Sequence, residues 1–466
     1  MKKGIILVIS VCIALFWTIL PQGCANIIPP SGGPKDTIPP ELEHVDPRDS
    51  SVNFRSKHVT FTFNENIDVQ QQDLSTNVMF TPTFETNPEI KVKGRNMTLT
   101  FHDSLLSNTT YVLNFGNAIK DNTEGNPIRN FSYTFSTGPT MDSLEISGRV
   151  ILAENGGTDT TMIALLYKDL RDSAVVRERP LYVTRLNQRG EFHFRFLPQD
   201  SFAVYALGDA GVMRRYQSKN QLFAFSNSHV MAGKADSLVL YAYREAPQAN
   251  RLTVNPVNRA PATDRRLRFT QNITGEQDLL SDYVLTFPVP LRNFDSNKIH
   301  LTTDSVFNAT TFSASLDTAR KELMIRSQWK EGTKYNLILD RDFATDTSGR
   351  QLLKTDTLFF TTRKQSDYGN LVIRLHNLDL SKHPVLQFVQ NGQVAFSAPL
   401  TTATFSRSLF LPGEYDLSIL YDVNGNGHWD PGNFFGIKRQ PELVKPIDQK
   451  INVKANWDNE FDRSLQ

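Results

Sequence analysis

The stretch whose residue types and spacing suit chemistry lies towards the C-terminal end. There Asp422-Val423-Asn424-Gly425-Asn426-Gly427-His428-Trp429-Asp430 sets an oxygen-bearing side chain at alternate places. Asp422, Asn424, Asn426 and Asp430 fall at positions one, three, five and nine of a calcium loop. Gly427 takes the turning position six, and His428, at seven, would ligate through its backbone carbonyl. Position twelve is Asn433 where such loops carry a bidentate glutamate. Two carboxylates imply weak calcium affinity, on the order of 10⁻⁴ to 10⁻³ M. The alternative is a glycine-rich hairpin whose asparagines take left-handed turns. The lack of flanking helical sequence favours the hairpin and the spacing favours the cation, so both readings stand at this point.

Other chemistry finds no support. The sequence holds no Gly-x-Ser-x-Gly elbow, phosphate loop or His-Glu-x-x-His motif. Its nine histidines are scattered singly, and His193, between Phe192 and Phe194, reads as an exposed sheet residue. Trp329, Trp429 and Trp457 would suit a sugar-stacking platform, but core or hairpin packing is the simpler reading. The expectation is a chain without catalytic activity.

Cys24 is the other reactive position. Lys2 and Lys3, the apolar run at 4–20 and the small Gly23 before Cys24 have the three parts of an export signal. The run is short for a membrane-spanning helix, which needs about 20 apolar residues. Cys12, within the run, is the only other cysteine, so an acylated Cys24 leaves the mature chain no disulfide, thiolate metal site or redox pair. The stretch resembles the signals of bacterial lipoproteins, although Pro21 stands where those carry leucine and Leu20 lies one step back. The resemblance implies a signal peptide at 1–23 and a diacylglyceryl group on Cys24. Residues 24–41 follow, with Pro29-Pro30-Ser31-Gly32-Gly33-Pro34 and Pro39-Pro40; they read as an extended tether, ~3.1 Å per residue. Ala25 is not the aspartate of inner-membrane retention, and no acidic run follows Cys24. By the same resemblance the protein sits in the outer membrane, on the periplasmic leaflet ahead of the cell surface.

Lysine and arginine number 50 against 49 aspartate and glutamate, a net charge of +1. No long-range field draws the chain to nucleic acid, which is excluded as a partner class. Two-residue alternation fills 42–138, as in Val59-Thr60-Phe61-Thr62-Phe63, Met97-Thr98-Leu99-Thr100-Phe101 and Phe131-Ser132-Tyr133-Thr134-Phe135. Each run predicts a half-buried strand. Pro39-Pro40, Asp46-Pro47, Phe61 to Ile67, and Asp121 to Gly125 before Phe135-Ser136-Thr137 resemble a bacterial immunoglobulin-like domain of the S-layer type. Glu65 and Asp121 then read as solvated turn residues. Residues 143–246, with Gly190-Glu191-Phe192-His193-Phe194-Arg195-Phe196-Leu197-Pro198, resemble a transthyretin-like or carboxypeptidase-regulatory-like antiparallel sandwich. Residues 250–363 repeat the first pattern: Tyr283 to Phe287 stands for Val59 to Phe63, and Lys334 to Leu339 for Thr110 to Phe115. Residues 368–458 echo the second, with Phe410-Leu411-Pro412 set against Phe196-Leu197-Pro198.

The whole layout resembles a family of uncharacterised Gram-negative lipoproteins with an N-terminal immunoglobulin-like domain of the S-layer type. The expectation is an all-β, elongated array of tandem sandwiches, anchored by lipid and acting as a binding or spacer module. Its partners would be the membrane and an envelope protein or polysaccharide. The alternative function is a glycan-binding or glycan-processing lipoprotein.

Overall fold

The computed structural model describes residues 35–70, 78–208, 214–234, 237–245, 266–273, 275–303 and 308–465. Cys24, the signal and most of the tether lie outside them. The described residues form two compact units, divided between Met141 and Asp142, with Thr81–Thr83 counted in the second. Among the described residues the structure is all-β apart from single short helical turns.

In the first unit one sheet runs Leu42–Asp46, His58–Phe63, Asn96–Thr100, Glu89–Lys93, and the facing sheet runs Met79–Thr81, Thr110–Gly116, Phe131–Ser136. The alternation read from the sequence sets the faces. Val59, Phe61, Phe63, Met97, Leu99, Leu113, Phe115 and Phe135 are buried while the threonines between them point outward. The core is aromatic, with Tyr111 stacked on Phe135 at 5.2 Å and Tyr133 edge-on to Phe61 at 5.3 Å.

The second unit holds three sandwiches. Residues 266–362 repeat the strand order of the first unit, with one added edge strand, Asn308–Ala309. One sheet runs Thr270–Gln271, Tyr283–Thr286, Glu322–Arg326, Ser313–Leu316, and the other Asn308–Ala309, Ile299–Thr303, Lys334–Leu339, Asp356–Thr361. Phe61, Phe63, Leu285 and Phe287 are all buried. The same hydrogen bonds recur at matching separations. Tyr111 Oη accepts from Leu106 N (2.8 Å) and Tyr335 Oη from Lys330 N (3.0 Å). Thr137 Oγ1 accepts from Thr109 N and donates to Leu106 O, and Thr362 Oγ1 does likewise with Thr333 N and Lys330 O.

The sandwiches at 142–245 and 368–465 share a different topology, and here three expectations are corrected. Neither is purely antiparallel, because Leu238–Ala242 runs parallel to Leu144–Leu152, and Asp458–Ser464 parallel to Gly369–His376. The last domain therefore extends past 458, since its final strand completes a sheet. The pairing of Phe410 with Phe196 is also off by one residue. Each sheet has a bulge where its first strand begins. The residue with positive φ there is Phe196 (57°) in one copy and Leu409 (53°) in the other, so Leu197 and Phe410 correspond.

Candidate functional site: the acidic loop and the arm beyond it

Residues 422–442 connect two strands of the last sandwich, Gly413–Tyr421 and Leu443–Val453. The structure gathers the carboxylates and amides of the predicted loop. Asp422 is buried, and its Oδ1 accepts from Gly425 N (2.7 Å) and Asn426 N (3.2 Å) while Oδ2 accepts from Gly427 N (2.6 Å). Asn424 Oδ1 accepts from Asn426 N (3.0 Å), and Asn426 Oδ1 from His428 N (2.8 Å). Both amide nitrogens then converge on Asp430 Oδ2, Asn424 Nδ2 at 2.5 Å and Asn426 Nδ2 at 2.7 Å. Gly425 and Gly427 hold φ of 73° and 78°, the left-handed turns that such crowded backbone donors require.

A further carboxylate completes the loop, and the sequence reading missed it. Glu442 is buried and accepts from Val423 N on Oε1 (2.8 Å) and from Asp430 N on Oε2 (3.0 Å). Its own N–H donates to Asp430 O, and its carbonyl accepts from Trp429 Nε1 (2.8 Å). Burial is the main cause that raises its pKa, and the charges of Asp422 and Asp430 add to it. Position twelve of the loop pattern, Asn433, takes no part in this: its backbone pairs in both directions with Arg439. Among the described residues no group of three or more histidine, cysteine or acidic side chains is arranged to hold a metal ion.

Trp429 covers Val385, Leu420 and Val444 on the outer face of its own sandwich. Residues 431–440 then leave it and reach the sandwich at 142–245. Phe434 is buried there against Phe225 (4.9 Å), Phe223 (5.1 Å) and Tyr205 (5.6 Å). Lys438 Nζ meets Asp172 at 2.8 Å, and Gln440 Nε2 donates to Phe225 O and Asn227 Oδ1.

The remaining candidates fall elsewhere. Asp121 is buried, which corrects its reading as a solvated turn residue. One carboxylate takes the N–H groups of Thr123, Glu124, Gly125 and Asn126 at 2.5–2.9 Å in place of water. Glu65 lies near enough to Asp121, Asp36 and Glu124 for their charges to add to the burial that raises its pKa. His193 is on the surface, with Nε2 2.7 Å from Glu145. Trp329 packs on Tyr335 (5.1 Å), and Trp457 is exposed beneath the Lys454 ammonium.

Residues 36–137 match the family model of a bacterial Ig-like domain. That match is the first sandwich. A comparison with curated proteins returns no match. Among solved structures the chain is distantly similar to the N-terminal part of the bacterial S-layer protein SbsC, at 16% identity over 43% of this chain and 45% of that one (TM-score 0.17). It thus spans less than half of that structure's length. It is also similar to the Bacillus anthracis TIE protein, at 10% identity over 94% and 76% (TM-score 0.17). A third likeness is to BcpA, the major pilin subunit of Bacillus cereus, at 8% identity over 69% and 100% (TM-score 0.15). At these scores none of the three structures carries an argument about this chain. Among the described residues no helix is long and apolar enough to cross a membrane.

Proposed function

We propose that this chain is a lipid-anchored, non-catalytic module of the outer membrane that holds or spaces another envelope component, a protein or a polysaccharide. The observation that carries the reading is the duplication. A sandwich matching the bacterial Ig-like model at 36–137 recurs at 266–362 with the same strand order, apart from the added edge strand Asn308–Ala309, and the same tyrosine and threonine hydrogen bonds. Repetition of one stable sandwich adds length and surface without adding a reactive centre. The buried carboxylates fit the same view, since Asp121, Asp422 and Glu442 are taken up in ordering backbone N–H groups. The signal-like leader ending at Cys24 supplies the anchor.

Weak calcium binding at 422–430 belongs to the proposal in a definite form. It requires Asn424 and Asn426 to turn over, so that Oδ1 replaces Nδ2 opposite Asp430 and the ion takes the place of the two amide donors.

Two experiments test the function, the first on the full-length chain and the second on the chain beginning after Pro40. Cross-linking in native membranes followed by capture should return one defined envelope protein or polysaccharide. A glycan array should show a sugar hit without turnover if the held component is a polysaccharide, and no hit if it is a protein. A specific oligosaccharide hit with turnover would replace the proposal by the glycan-processing alternative.

A further inference from the structure

We propose that residues 431–440 form a clasp, an arm of the last sandwich that docks reversibly on the sandwich at 142–245 and locks the two together. The socket is written into the strands it covers. In Ser201–Leu207, Val204 and Ala206 face the sandwich core, yet Ala203, Tyr205 and Leu207 on the opposite face are buried as well. Phe223 and Phe225 also lie outside that core cluster and are equally buried. A sheet with two apolar faces needs a second cover, and Phe434 is at its centre.

The arm is built to be presented. Its two ends are joined at the root, where Asp430 and Glu442 exchange hydrogen bonds and the Trp429 indole closes on the Glu442 carbonyl. The excursion therefore leaves the sandwich as a closed loop with little freedom. Gly432 passes so close to Tyr243 that a Cβ there would meet the ring at 2.6 Å. Lys438 and Gln440 tie the returning limb to Asp172, Phe225 and Asn227. The two sandwiches also touch beside the arm, where Val444 N donates to Ala153 O (2.8 Å) in the turn after Leu144–Leu152.

The same contact is imperfect in a way that favours opening. Tyr243 Oη, Asn433 Oδ1 and Gln440 Oε1 are buried along it without a hydrogen-bond partner among the described residues. Each such atom regains water when the arm lifts. An aromatic anchor with unsatisfied oxygens around it is the composition of a latch rather than of a core.

Hydrogen exchange on the purified full-length chain tests this, read by mass spectrometry at 431–440, at Phe223–Phe225 and at Gly413–Tyr421. Phe434→Ser should speed exchange in the first two segments by about tenfold or more while leaving Gly413–Tyr421 unchanged. Gly432→Leu, a wedge against Tyr243, should do the same with Phe434 intact. Lys438→Glu should give a smaller rise that is reversed in the double variant Lys438→Glu/Asp172→Lys. Unchanged exchange at 431–440 in both Phe434→Ser and Gly432→Leu would overturn the clasp. So would a rise that spreads equally to Gly413–Tyr421, which means unfolding rather than undocking. Exchange at 431–440 that quickens on dilution of the wild type would also overturn it, by placing the arm on a second copy of the chain.

Discussion

Three sandwiches use one residue-scale device, a buried aspartate at a strand end that gathers the backbone N–H groups of the turn after it. Asp121 takes those of residues 123–126, Asp346 those of Ser348 and Arg350, and Asp422 those of Gly425, Asn426 and Gly427. Charged acceptors make the stronger hydrogen bonds, which offsets the cost of burying the carboxylate. At Asp121 burial acts to raise the pKa, but the four backbone donors together outweigh it and the pKa falls to about 2. The folded-state value is thus below the unfolded one of about 3.8. Its stabilisation is full above that pH and is lost as pH falls towards 2. Asp121→Ala should lower the stability of the first sandwich by roughly 3 kcal/mol at neutral pH, with a smaller loss at pH 2.5. Thermal melts of the fragment 36–141 at the two pH values give the comparison. Glu442 has the opposite sign. Its pKa is raised, so the group favours folding while protonated, and the advantage is lost as pH rises through the folded value. Glu442→Gln removes that pH dependence. It also leaves one acceptor for the two donors Val423 N and Asp430 N, so a net loss of about 1–2 kcal/mol at neutral pH is expected in denaturant titration.

At the scale of elements, the strands of the Ig-like sandwiches were legible because their alternation is nearly unbroken, as in Val59 to Phe63 and Met97 to Phe101. The tyrosine and threonine bonds that fix the following strands give a matched prediction. Tyr111→Phe and Tyr335→Phe each leave a backbone N–H, of Leu106 or Lys330, without its acceptor. Each should cost about 1 kcal/mol in its own sandwich, measured by chemical denaturation. The parallel closing strands were not legible, since a strand's own residues do not state the direction of its neighbour. The bulge at Phe196 and Leu409 was hidden for a related reason: two bulky residues with positive φ give no local signal of the kind a glycine gives. Glu442 was missed because it lies twelve positions beyond Asp430 in the sequence, and only the folded excursion brings the two together. The socket for Phe434 did leave a trace. Met162 to Tyr167 and Phe202 to Leu207 are apolar at nearly every position, the mark of a sheet covered on both faces. The loop that roots the arm carries the cation test. Calcium that binds only the folded loop stabilises it by roughly 1 kcal/mol at several times its dissociation constant. Millimolar calcium should therefore raise the melting temperature of the wild type and leave Asp422→Ala unmoved. Equal melting in calcium, magnesium and chelator would show a hairpin held by its own amides.

At the scale of the whole molecule, two sandwich types each occur twice. This pattern was visible as repeated phrases because each copy keeps its core face while its loops diverge. The proposed lipid anchor at Cys24 has its own chemical test. A single acyl chain holds a protein to a bilayer only marginally, whereas two or three chains, at about 0.8 kcal/mol per buried methylene, make attachment stable. A diacylglyceryl group on Cys24 should thus keep the chain in the membrane fraction through high-salt and carbonate washes. Salt would matter little, because a chain with 50 basic and 49 acidic residues has no net field to bind lipid headgroups. Cys24→Ser removes the thiol and with it every acyl chain. The expected result is release into the soluble fraction, with melting of the sandwiches unchanged. Fractionation and mass spectrometry of the N-terminus, performed together, separate the two ways of being held. A Cys24→Ser chain that stays in the membrane with residues 1–23 still attached would mean that the apolar run at 4–20 is itself the anchor. The lipid would then have no part in placing the protein.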